Sequence, residues 1–189
     1  MRVEHVDPTR MSAGQRAVYD RYASGPRATP DNPYVLVDAD GRLQGPPAIW
    51  VLSAQFGQAL QQIGTAVRFG SQLPTRACEI AILLVGHHHD SPFELYAHQR
   101  AGLAAGLTEA DLAALAAGAE PANLSELESC VWRTTRAVLD RGTLDEAEFH
   151  AAAAVLTEVG LFELVTIIGY YTMVAWQLAV FDVQPPAAS

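Results

Sequence analysis

Three residues of this 189-residue chain have the types and spacing to pass a proton: Glu79, Glu94 and His98. The stretch "SPFELYAHQ", Ser91 to Gln99, sets Glu94 and His98 four residues apart. On a helix that spacing brings their Cβ atoms to about 5–6 Å. The carboxylate can then orient the imidazole, whose proton exchange falls near neutral pH. Glu94 has a second reading, because Ser91, Pro92 and Glu94 fit the N-cap, first and third positions of a helix start. The two roles are compatible, since the helix dipole favours a carboxylate near the N-terminus. Glu79 sits in "TRACEIAILLVG" beside the apolar stripe Ile80, Leu83 and Leu84. A carboxylate in that setting either reaches water or has a partner. The structural alternatives are a first-turn acid for Glu79 and a hydrogen-bonded core histidine for His98.

The remaining reactive residues offer less. Arg76 and Arg68 are candidates, on charge alone, for holding a substrate carboxylate. In "GHHHD", His87, His88 and His89 cannot all point one way. The spacing matches no HExxH or other ligand pattern, so no metal is expected. Cys78 lies in an early helical turn but beside Glu79, whose charge opposes a thiolate. Cys78 and Cys130 form neither a CxxC pair nor a disulfide framework, which makes a reducing cytoplasm the default compartment. Serine-hydrolase elbows and phosphate-cradling glycine loops are absent.

The elements that must carry these groups read as helices. Apolar residues recur at three- and four-residue spacing in "QFGQALQQIGTAVRF" and "ADLAALAAG". Capping boxes are expected at Ser91…Glu94, Thr108…Asp111, Ser125…Glu128 and Thr143…Glu146. Gly106, Gly142 and Gly160 mark helix ends. The pattern predicts helices near 12–24, 46–69, 75–86, 91–105, 109–118, 125–141, 144–159 and 161–181. "GPRATPDNPYVLVDADGRLQGPP" reads as an ordered loop, in which "YVLV" finds no strand partner. The expected organisation is an N-terminal helix and Pro/Gly-rich arm over 1–45, a helical domain over 46–183 and a tail over 184–189. The fold class is all-α, a single-domain bundle of about seven to eight helices.

Composition narrows the partners. Half the residues are hydrophobic and 17% are charged, slightly more apolar material than a monomer of this size needs. That surplus points to surface buried between subunits. A net charge of −9 without a Lys/Arg cluster argues against nucleic acid. "LFELVTIIGYYTMVAWQLAVF", 161–181, is long enough to cross a bilayer, but it contains Glu163, Gln177 and the paired Tyr170 and Tyr171 and lacks basic flanks. A helix buried within an oligomer, and no membrane, is the expectation.

The segment "LPTRACEIAILLVGHHHDSPFELYAHQRAGLAAGLTEADLAAL" resembles the carboxymuconolactone decarboxylase and alkylhydroperoxidase D family. "DGRLQGPPAIWVL" and "FELVTIIGYYTMVAWQLAVFDV" extend the likeness to about 150 residues. The resemblance implies an all-α fold of the alkylhydroperoxidase D-like type, homo-oligomers such as trimers or hexamers, and a cleft near a subunit boundary. The family's peroxidase branch carries CxxCxxxH with a Glu nineteen residues before the His. Glu79 and His98 keep that spacing, but Ser91 and Glu94 stand where the cysteines would be. Without both thiols a dithiol–disulfide cycle is not available, and the chain looks closer to the decarboxylase-like branch. The function expected is a cofactor-free acid–base lyase on a small unsaturated acid or lactone. In it His98 would donate the proton or stabilise the enolate, Glu94 orient the ring and Glu79 shuttle the proton or hold a water. An isomerase, hydratase or cyclase on the same residues, a non-catalytic helical oligomer and a residual peroxidase using Cys78 are the alternatives.

Overall fold

The computed structural model describes residues 1–25 and 35–186. The part of the Pro/Gly-rich arm over 26–34 and the last three residues of the tail lie outside the described residues. Among the described residues, eight α-helices follow a 3-10 turn at Pro8–Arg10. They are α1 (Ala13–Ala23), α2 (Pro46–Trp50), α3 (Ala54–Phe69), α4 (Thr75–His88), α5 (Pro92–Ala104), α6 (Glu109–Ala116), α7 (Glu126–Arg141) and α8 (Glu146–Phe181). The all-α expectation holds, but "YVLV" does find a partner: its Val37 pairs with Leu43 in one antiparallel bridge, the only pairing of extended backbone among the described residues.

Helix α4 is the axis of the bundle because it is apolar on every side. Residues 77–86 are all buried, with α5, α6, α7 and α8 packed around them, as a helix hydrophobic all round requires. Glu79, at 5% exposure, is the one ionisable carboxylate in that run. Helix α1 packs on α2 and α3, and its Val18 and Tyr22 belong to the same core cluster as Ile82, Leu164 and Val174.

Three boundaries differ from the sequence pattern. The run predicted as one helix over 46–69 breaks at Val51–Ser53. Trp50 ends α2, its indole Nε1 donating to Gln177 Oε1 of α8 at 2.8 Å. Gly57 then passes so close to the Trp50 carbonyl that a Cβ there would meet the oxygen at 2.5 Å. The break lets α2 face the centre of the bundle while α3 runs along α8. The two helices predicted over 144–159 and 161–181 are joined across a kink at Thr157 (φ 66°, ψ 164°) rather than separated at Gly160. Thr157 Oγ1 accepts from Gly160 N at 3.2 Å, capping the second half in the manner of an N-cap threonine. That backbone region is almost closed to β-branched residues, so strain is stored at the kink. Finally, the cap of α8 is Asp145…Glu148, not Thr143…Glu146.

The capping boxes at Thr108…Asp111 and Ser125…Glu128 form as expected. Their two acids do a second job. Arg76 of α4 donates to Glu128 Oε1 at 2.6 Å, to Asp111 Oδ2 at 3.3 Å and to the Gly106 carbonyl at 3.2 Å. One guanidinium thus ties α4 to α6 and α7. The Thr108 backbone, Thr108 hydroxyl and Arg76 hold Asp111 below its ordinary 3.8, against a smaller burial effect. For Glu128 burial raises the value, but the Ser125 backbone, Arg76 and the Ser125 hydroxyl together outweigh it and hold the group below 4.5. Depressed carboxylates contribute stability above their ordinary values and lose it as pH falls through the folded ones. Arg76→Ala is therefore expected to cost roughly 2–3 kcal/mol at neutral pH, less than a fully buried pair. That cost should shrink below pH 3.8 as Asp111 and Glu128 protonate. Urea unfolding of both proteins at the two pH values measures it; an equal loss at both would show that packing, not charge, is what Arg76 supplies.

Candidate active site

The signal that suggested a cap at Ser91…Glu94 is not used as one. Ser91 makes no side-chain cap, its Oγ has no hydrogen-bond partner, and α5 begins at Pro92, whose fixed φ suits the first helical position. Glu94 turns inward instead and is 4% exposed. There it meets the two residues that its type and spacing suggested. His98 Nδ1 lies 2.7 Å from Glu79 Oε2, and His98 Nε2 lies 3.4 Å from Glu94 Oε2. All three side chains are buried to within a few per cent. The pattern "ELYAH" supplies one arm through the turn of α5, and α4 supplies the other across the helix interface.

The two arms are unequal. Glu79 Oε2 is within hydrogen-bond distance of Nδ1; in the tautomer that carries the proton on Nδ1 it accepts from the ring and leaves Nε2 facing Glu94. Glu94 Oε2, by contrast, makes no hydrogen bond although it is wholly enclosed. Burial pushes the Glu94 carboxyl above its ordinary 4.5; His98 pulls it down, Glu79 pushes it further up, and Arg68 pulls it down. The neutral acid is favoured where the ionised one would stand unpaired. The site therefore sets Glu94, favoured as the neutral acid, and Glu79 on opposite sides of one imidazole ring.

Glu94 and His98 face a narrow hollow between α2, α3, α5 and α8, while Glu79 stands behind the imidazole and does not line it. Its wall includes Glu94, His98, Arg68 and Tyr171, with Gln44 and Pro47 above them. The rings of Tyr22, Trp50, Tyr170, Tyr171 and His98 follow one another at centroid spacings of 5.0–6.4 Å. Tyr171 stands edge-on to His98 at 87°. Burial first, and the charges of Glu94 and Glu79 after it, push the Tyr171 hydroxyl well above 10, with Arg68 opposing. It is a neutral phenol there. The cavity volume is about 40 Å³, room for only about two or three waters. The chain from Leu36 to Pro47 roofs it, and Gly45 (φ 67°) rests against the Phe93 ring so closely that a Cβ would meet Cζ at 2.2 Å.

Arg68 lines the hollow, as a substrate-carboxylate ligand must. Arg76 does not, and the sequence-based placement is corrected here: its guanidinium is committed to Asp111 and Glu128 between other helices. Charge alone cannot tell a cation facing a cavity from one locking a helix interface. Sequence reasoning missed Tyr171, Gln44 and Trp50. The paired tyrosines of the otherwise apolar 161–181 run were the available signal, since polar tips in a buried helix need a place to point. Of the "GHHHD" residues, His89 packs edge-on against Trp176 at 5.8 Å and His87 lines a separate hollow beside Arg136. No His/Cys/Asp/Glu cluster suited to a metal occurs among the described residues. Cys78 is buried, and its thiol is pushed up to about 11 mainly by burial, with a Ser71 hydrogen bond opposing.

Neither a protein-family model nor a curated protein matches the sequence. Among solved structures, an uncharacterized peroxidase-related protein from Silicibacter sp. TM1040 is similar in three dimensions. The TM-score is 0.65 at 14% identity, over 73% of this chain and 74% of that one. The fold is alkylhydroperoxidase D-like. The likeness concerns the arrangement of helices and is silent on the reaction.

Proposed function

We propose that the chain is a cofactor-free acid–base enzyme, a decarboxylase-like lyase acting on a small unsaturated carboxylic acid or lactone. The observation that supports it is the Glu79–His98–Glu94 row: two carboxyl groups linked through one imidazole, buried beside a cavity whose wall includes Arg68. Arg68 would pair the substrate carboxylate in the ground state. Desolvation of that carboxylate raises its energy relative to neutral CO2. As the C–C bond breaks, its electron pair passes into the conjugated carbonyl and leaves an enolate, which the Tyr171 phenol suits as a hydrogen-bond donor. Glu94, or His98 protonated by it, then delivers the proton to carbon. Glu79 keeps the imidazole in register throughout.

Thiol peroxidase chemistry is disfavoured on separate grounds. Ser91 and Glu94 occupy the positions of a CxxC pair, and a Cys78 thiol raised to about 11 supplies little thiolate. The deciding experiment incubates the protein with a panel of carboxylated lactones and unsaturated acids. CO2 release and loss of substrate absorbance are both followed. Release of CO2 supports the lyase; substrate conversion without CO2 assigns an isomerase or hydratase to the same residues; no conversion of any member removes the lyase reading.

A further inference from the structure

Helix α8 turns one face to the core and the opposite face outward, and the outward face has an order of its own. Val159, Phe162, Thr166, Gly169, Met173, Trp176 and Val180 follow one another at alternating steps of three and four. That is the repeat by which one helix lies along another. Val159, Phe162, Trp176 and Val180 are 58–72% exposed. The stripe carries no charge over about 30 Å of helix. Phe56 and Ile63 of α3, seven residues apart and 72% and 38% exposed, extend it sideways. Together these side chains leave on the order of 800 Å² of apolar surface in water, beyond the largest patch of a typical monomer. It equals what each partner contributes to a standard interface, about 800 Å².

The stripe is also nearly symmetric about its own midpoint. Phe162 and Trp176 lie seven residues either side of Gly169, with Val159 and Val180 ten and eleven residues out. A Cβ built on Gly169 meets nothing within 4 Å, so the midpoint is open and low. Beside Phe162, between α3 and α8, is an apolar hollow of about 290 Å³ edged by Ile63, Val67 and Thr166. Trp176 is braced against His89 and projects from the other end. A surface with a knob and a hole equidistant from a glycine is complementary to itself under a two-fold rotation.

We infer that a second copy of this chain docks on α8, the two helices crossing antiparallel with the two-fold axis at Gly169 and the partner's Trp176 seated in the hollow beside Phe162. A lipid surface is the poorer occupant. Tyr171, Val174 and Leu178 commit the other face of α8 to the protein core, and a net charge of −9 without basic flanks repels anionic headgroups. The interface is independent of the reaction proposed above.

The test uses the full-length chain. Sedimentation should give a mass twice 20.3 kDa, or an even multiple of it. Gly169→Cys should cross-link to its copy on mild oxidation, because only the residue on the axis meets itself; native Cys78 and Cys130 are buried and do not compete. Phe162→Lys and Trp176→Glu should each weaken association about 30-fold or more, with the helical circular dichroism unchanged. Combining both in one chain should restore association, because the two-fold sets the opposite charges against each other. A monomer at micromolar concentration, a trimer, failure of Gly169→Cys to cross-link, or sedimentation with phosphatidylcholine vesicles in place of self-association would overturn the inference.

Discussion

His98→Ala is expected to lower kcat by about 10²–10⁴-fold on whichever member of the panel the protein converts, which is the range for loss of a positioned acid–base group. The protein should remain folded, because the substitution removes a ring from the wall of a cavity rather than from the packed axis of α4. Glu79 acts through the ring and not on the substrate. Glu79→Gln keeps an acceptor for Nδ1–H but discards the charge that stabilises an imidazolium, so a smaller loss of about 10–100-fold is expected. Its mark should be a shifted pH profile of kcat with KM unchanged. Glu79→Ala should approach His98→Ala, since nothing then holds the tautomer. Wild-type turnover by folded His98→Ala protein would remove the imidazole from the mechanism.

Glu94→Met is expected to raise stability while abolishing turnover. The enclosed Glu94 Oε2 makes no hydrogen bond, and a buried polar atom left without a partner costs about 1–3 kcal/mol. Methionine has nearly the same length and asks for no partner. The gain should depend on pH. Because the folded carboxyl is raised above 4.5, between 4.5 and the folded value the unfolded chain has shed a proton that the native protein retains. Rising pH therefore favours unfolding of the wild type, and the methionine variant is free of that slope. Thermal melts should show a difference that widens as pH rises above 4.5, amounting to several degrees for a chain of this size. A variant that melts lower than the wild type at every pH would mean that the contacts of Glu94 with His98 and Arg68 outweigh its desolvation. Stability gained at the expense of activity is the usual signature of a group held in place for chemistry.

Much of this protein can be read from residue order, because the rules involved are local. Helix periodicity, Gly142 at the end of α7, the caps at Thr108 and Ser125, and the i,i+4 pair Glu94 and His98 all depend on neighbours within one or two turns. Even the need of Glu79 for a partner was legible, since a carboxylate in an apolar run must be answered by something. Three matters required the whole fold. Ser91…Glu94 satisfies the capping pattern, yet Glu94 points inward, beside the imidazole of its own helix and toward the field of Arg68, although burial and the charge of Glu79 oppose its ionisation there. Arg68 and Arg76 are alike in sequence, and only the packing of α4 on α6 and α7 sends one to a helix lock and the other to a cavity. Tyr171 and Trp176 belong to one apolar run, and the direction of α8 against α3 and α4 decides which faces the imidazole and which faces outward. Side-chain type and spacing determine what a group can do; the long-range packing free energy, summed over helices far apart in the chain, determines what it is next to.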